Sequence, residues 1–226
     1  MAVAPFSTNP FYTNIAIAYR NKNYIADMVL VGTPVPQEEF KYIVHTQAES
    51  YTVPSTIVGR KGRVNEVSFT GSEVPGVTLD YGLEDTIPMK DIDNAKSIPN
   101  YDPMGKSTIL LAELIDLDKE IRVANMVNNP ANHTYNTTLS GTSQWSDYAA
   151  SNPISAILGA LDIPLLRPNI MTIGQAAWTV LRQHPKVLDA VKSTGGSISA
   201  GTVAKQQVAE LLELDDIYIG TPFVNS

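Results

Sequence analysis

The sequence predicts an α+β protein in which a β-rich stretch, one long helix and a small strand–helix region follow one another. Three observations carry that prediction. Residues 40–89 alternate apolar and polar side chains between glycine turns, Pro103 to Asn128 repeats apolar residues at helical spacing, and the last third alternates short apolar strands with helices. With 226 residues, the chain can bury a core as one large domain or two small ones.

Residues 2–20 mix polar positions with Phe6, Phe11, Tyr12 and Tyr19 without a sustained period, and Pro5 to Pro10 reads as an extended arm. Tyr24 to Val31 is apolar except for Asp27, and Pro34 and Pro36 end any regular element there. Phe40, Tyr42 and Val44 alternate with Lys41, Ile43 and His45 at the period of a strand. Gly59 to Gly62 is a turn, a second turn is expected at Gly71, and Val77, Leu79 and Tyr81 resume the alternation. This ribbon is charged and poor in large apolar residues. It is expected to be marginal alone and to find its partner on another chain.

Asp102 as N-cap and Pro103 at the first helical position open a helix that runs to Asn128 and stops at Asn129-Pro130. Ile109, Leu110, Leu111, Leu114, Ile115, Leu117, Ile121, Ala124 and Val127 form one wide apolar face. That face is expected to be buried, so a carboxylate at Leu114 is expected to prevent folding. Asp118 and Arg122 sit four apart on the other side. Asn132 to Ser151 is a polar loop anchored by Trp145 and Tyr148, and Asn152-Pro153 caps a short helix over Ile154 to Leu161. A strand from Ile170 to Ile173 stops at Gly174, and a helix opens at once and runs to His184-Pro185. After a Gly/Ser turn from Ser193 to Gly201, a second helix over Thr202 to Leu214 feeds a strand that ends at Gly220. Trp178 and Leu181, at helical spacing, are candidate core anchors.

The net charge of −7 is spread evenly, −4 over residues 1–103 and −3 over residues 104–226, so no basic tail or domain is present to grip nucleic acid. The densest positive cluster is Arg60, Lys61 and Arg63 between Gly59 and Val64. It reads either as a solvated turn or as a contact with an acidic neighbouring subunit. Cysteine is absent, which excludes disulfides and thiolate metal sites. No apolar run reaches the length of a membrane span, and Met1 to Pro10 lacks the pattern of a signal peptide.

Gly105-Lys106-Ser107-Thr108 resembles half of a phosphate-binding loop, the basis of a nucleotide-enzyme reading. Asn100 occupies the place of the required first glycine, and no buried strand precedes it. His45, His133 and His184 lie far apart and read as loop or surface residues, and Asp215-Asp216 reads as a solvated turn. No catalytic residue, cofactor or metal site is predicted.

Tyr19 to Asp27 with Pro34-Val35-Pro36, the ribbon from Phe40-Lys41-Tyr42 to Leu83-Glu84-Asp85, and the helix from Pro103 to Asn128 form one series. Trp145-Ser146-Asp147 with Asn152-Pro153-Ile154, and Arg167-Pro168-Asn169 to Gly174 with Trp178, Leu181 and His184-Pro185, continue it. Together these segments resemble the tailed-bacteriophage major capsid proteins of the Hong Kong 97-type fold. The resemblance implies an N-terminal arm and first core strand over residues 1–33, and an extended β-ribbon loop over 34–101. It implies a peripheral domain over 102–151, with its spine helix at 103–128, and a partial axial domain over 152–226 that lacks its C-terminal strands.

It also implies a structural coat protein, not an enzyme, that self-assembles into pentamers and hexamers of an icosahedral shell around double-stranded DNA. Scaffold and portal proteins are its implied partners, with only weak non-specific contact to the packaged DNA and none to a membrane. The implied location is the virion, assembled in the host bacterial cytoplasm. Arg60, Lys61, Arg63 and Phe69 are the candidate intersubunit contacts. An encapsulin-like nanocompartment shell of the same fold is the alternative, and a minor virion protein is a third reading.

Overall fold

The computed structural model describes residues 9–19, 21, 23–99, 101–193 and 201–221. Helix α1, Pro10–Ala18, starts where Asn9 Oδ1 accepts from Phe11 N at 3.0 Å and Pro10 supplies a helical φ with no N–H to satisfy. The extended arm expected over residues 5–10 is helical from Pro10; the positions before Asn9 lie outside the described residues. Helix α2, Ala26–Val29, replaces the first core strand implied for the Tyr24 to Val31 stretch. The reason is a carboxylate: Glu120 accepts from the N–H of Ile25 at 3.0 Å and of Ala26 at 2.7 Å, satisfying a helix start.

Strand β1, Glu39–His45, is followed by helix α3, Gln47–Tyr51, and strand β2, Gly71–Val77. Helix α4, Met89–Ala95, precedes the long helix α5, Pro103–Asn128, capped by Asp102 Oδ1 on Met104 N at 3.1 Å. Helix α6 is Pro153–Leu161, strand β3 is Ile170–Gly174, and helix α7 is Gln175–Gln183. Helix α8, Pro185–Ser193, helix α9, Lys205–Leu211, and strand β4, Asp216–Gly220, complete the order. Internal contacts divide the chain into two units: residues 32–82, and residues up to Val31 together with those from Leu83 onward.

In the first unit β1 and β2 pair antiparallel, from Glu39 opposite Val77 to His45 opposite Gly71. Gly71 therefore opens a strand and makes no turn, because its backbone completes the ladder with His45. A Cβ on Gly76 would fall 2.6 Å from the tip of the Phe40 ring, so glycine lets that ring lie across the strand. Lys41 reaches Glu73 at 3.0 Å, and the intervening loop is closed by the Glu49 carboxylate, which accepts from Thr70 N at 3.0 Å and from the Thr70 hydroxyl. Those two bonds hold the Glu49 carboxyl below its ordinary pKa. No described residue of this unit is buried.

In the second unit α1, α2 and α4 pack on α5, and β3 and β4 form a two-stranded parallel sheet with Ile170 opposite Asp216 and Gly174 opposite Gly220. The core lies around that sheet: Ile157, Leu161, Trp178, Leu181, Val187, Val191, Val203, Val208, Leu212 and Ile217 pack together. The wide apolar face of α5 is not buried as expected. Leu114 is 51% exposed, and the buried residues of α5 are Gly105 and Glu120, because its partners in this unit are short helices that cover it in patches.

Two helix boundaries also differ from expectation. Pro185 ends α7 but at once starts α8, the role for which proline suits a first helical turn. Helix α9 is shorter than Thr202 to Leu214. Val203, fully buried, bonds to Arg182 O at 3.2 Å instead of joining the helix. At the other end Glu213 adopts φ 57°, and Glu213 N→Glu210 O (3.2 Å) with Leu214 N→Ala209 O (2.9 Å) makes a Schellman stop with glutamate where glycine is usual.

Candidate assembly surface

Arg60 and Lys61 occupy the centre of a turn closed by Gly62 N→Gly59 O at 2.8 Å, and Arg63 follows directly. Among the described residues none of the three cations has a carboxylate within ion-pair distance. The same loop exposes Val53, Ile57 (85%), Val64 and Phe69 (69%). The sequence-predicted contacts Arg60, Lys61, Arg63 and Phe69 thus lie on one loop, all exposed. Cations set beside bare apolar side chains suit a surface carrying both acid and hydrocarbon.

The second unit exposes apolar surface too. Phe11 and Ile15 of α1, with Tyr101, Ile109 and Leu110, line a shallow groove at the start of α5. A cleft of about 340 Å³ separates the C-terminal half of α5 from β3 and β4, lined by Ile25, Val29, Ile121, Ala124, Val127 and Ile173. Among the described residues neither outer edge of the β3–β4 sheet pairs with a further strand.

The groups that could carry chemistry are engaged structurally. Asn169 Nδ2 bonds the Asp215 carboxylate at 2.5 Å, and Lys205 meets Asp216 at 2.6 Å, which with the Ile217 N–H lowers the Asp216 pKa. Arg167 spans Asp162 at 3.8 Å and Glu213 at 2.6 Å. Among the described residues no three His, Asp or Glu side chains converge as a metal site, and no helix is long and apolar enough to cross a membrane.

His184, expected in a loop or on the surface, is fully enclosed and lies 3.0 Å from Ser151 Oγ. That serine is itself buried and donates to the Asp147 carbonyl at 2.6 Å, so the pair offers no open position for a substrate. Sequence reasoning missed Glu120 and His184. A lone acid on an apolar helix face was the available signal for the first, and a histidine between two helices was the signal for the second.

The described residues thus hold a packed core in one unit and an exposed apolar, cationic loop in the other. The chain is 46% identical to the major capsid protein of Pseudomonas phage JBD67, over its whole length and 72% of that protein. It is 26% identical to the major capsid protein of Burkholderia phage BcepMu, over 94% of this chain and 68% of that one. No protein-family profile matches it. The crystal structure of a phage-related protein from Bordetella bronchiseptica shares the fold, with a TM-score of 0.69 over 96% of this chain and 71% of that one at 22% identity. The chain belongs to the major capsid proteins of tailed phages. It is a structural coat protein of the virion, and self-assembly into the capsid is its work.

Proposed function

We propose that the subunit takes the Hong Kong 97-type fold and builds pentamers and hexamers of an icosahedral shell around double-stranded DNA, with residues 34–101 supplying the clamp between neighbours. The observation that carries this reading is that no described residue of 32–82 is buried although Val53, Ile57, Val64 and Phe69 are apolar. Covering those side chains against an adjacent subunit supplies the burial the ribbon lacks, and pairing Arg60, Lys61 and Arg63 with acids there sets the register. Residues 102–151 act as the peripheral domain and 152–226 as the axial domain around which rings close through heterologous contacts. The even negative charge keeps the wall's hold on packaged DNA weak. Scaffold and portal proteins are its further partners, and assembly takes place in the host cytoplasm.

The test replaces Arg60, Lys61 and Arg63 by Glu, and separately Phe69 by Ala, in the assembling protein. Size-exclusion chromatography and negative-stain electron microscopy should show folded subunits that no longer form shells. Intact shells from both variants would refute the clamp.

A further inference from the structure

His184 donates its backbone N–H to Leu181 O at 3.2 Å to close α7, and its carbonyl accepts from Val187 and Leu188 at 3.0 Å each to open α8. Its ring caps the same corner, with Nδ1 facing the Lys186 N–H at 3.2 Å. A backbone N–H can only donate, so Nδ1 is the bare nitrogen and Nε2 carries the hydrogen. Nε2–H therefore donates to Ser151 Oγ at 3.0 Å, and Ser151 Oγ donates to Asp147 O at 2.6 Å. The Tyr148 ring and the imidazole meet at an interplanar angle of 84°, with centroids 5.4 Å apart. Every bond in this series has a fixed direction, and the ring has no exposed surface.

We propose that this series is an acid-sensitive latch, which holds residues 147–151 on the α7–α8 corner while His184 is neutral and releases them when the ring gains a second proton. A proton on Nδ1 would oppose the Lys186 N–H, donor against donor, at the positive end of α8. The groups around the ring give that charge no refuge. Lys186 of α8 repels it. Arg182, on α7, is turned to the Thr202 hydroxyl at 3.2 Å. The Asp147 carboxylate is already taken by the N–H groups of Ala149 and Ala150 at 3.1 Å.

Burial, then Lys186, lowers the His184 pKa below its ordinary value. The unfolded chain binds the proton near pH 6.5 while the folded ring resists it. The latch thus imposes no penalty above that pH. Stability falls as pH drops below it, until the folded ring is itself protonated and the latch opens.

The full chain is tested by deuterium exchange read by mass spectrometry between pH 8 and pH 4, following both the C2 position of each histidine ring and the backbone of residues 147–152, corrected for intrinsic rates. His184 should resist protonation to lower pH than a histidine in an unstructured peptide, and backbone protection should fall by up to about tenfold per pH unit below about pH 6.5, levelling off once the folded ring is protonated. Titration of His184 at the pH of the unstructured peptide, or protection that does not fall between about pH 6.5 and the pH at which His184 gains its proton, would overturn the proposal. His184→Asn keeps a neutral capping acceptor and should flatten the pH dependence; an acid response equal to wild type would also overturn it. Should that variant not fold, the wild-type measurement decides alone.

Discussion

The ribbon and the α/β region solve opposite problems with similar residues. Both carry valine and isoleucine in short strands, yet Ile217 of β4 is 1% exposed whereas Ile43 of β1 is 61% exposed. The difference is what lies over the strands. β4 has α7 and α9 packed on it, and burial of the Trp178, Leu181 and Val208 side chains stabilises that region by roughly 1.5–3 kcal/mol for each large one. The ribbon has two strands, one exposed ion pair and a loop closed by a threonine, which is marginal in water. One region covers its own strands; the other leaves them exposed in the subunit. The same residue types thus form a core only where helices lie over the strand.

Substitutions can break or sharpen this contrast. The largest effect is expected for Leu181→Ala, about 2–5 kcal/mol lost in urea unfolding, since the cavity opens in a packed core. Phe69→Ala in the ribbon should change the same measurement by no more than about 0.5 kcal/mol. Glu120→Ala should come next: it strips the Ile25 and Ala26 N–H groups of their acceptor at a cost of about 1–3 kcal/mol. Hydrogen exchange should then speed up locally at residues 24–30, and unchanged exchange there would mean that α2 is held by something else.

Leu114→Asp is expected to leave a folded, helical subunit, shifted by about 1 kcal/mol or less, because the side chain is half exposed. Loss of the circular-dichroism helix signal would mean that the α5 face is covered in the subunit. The smallest effect belongs to Lys41→Ala, which removes an exposed pair worth under about 1 kcal/mol, and a larger loss would show the ribbon to be more than marginal.

What the sequence revealed depended on whether the controlling interaction was local. Asp102-Pro103 and Asn152-Pro153 marked helix starts because cap and proline are adjacent in sequence. Asn9-Pro10 carries the same signal, but α1 has apolar residues all round and no period to go with it. Gly59 to Gly62 was legible as a turn, and with it the exposure of Arg60 and Lys61. An acid partner for them was not legible, and among the described residues none lies within ion-pair distance.

The exposure of α5 was equally hidden: a helical period reports that a face is apolar, not that anything covers it. Helix α2 depends on a carboxylate more than ninety residues away, and the enclosure of His184 depends on Ser151. Each local stretch hints that a polar group is set among apolar ones, but neither names its partner.

The bond from Ala26 to Glu120 spans 94 residues of chain, against 32 between Lys41 and Glu73 in the ribbon. At synthesis rates of about 5–20 residues per second, the start of α2 waits roughly 5–20 s for its cap to be made. The ribbon can close well before then. A nascent subunit would therefore carry a paired β1–β2 ribbon and an unsecured start of α2 at the same moment.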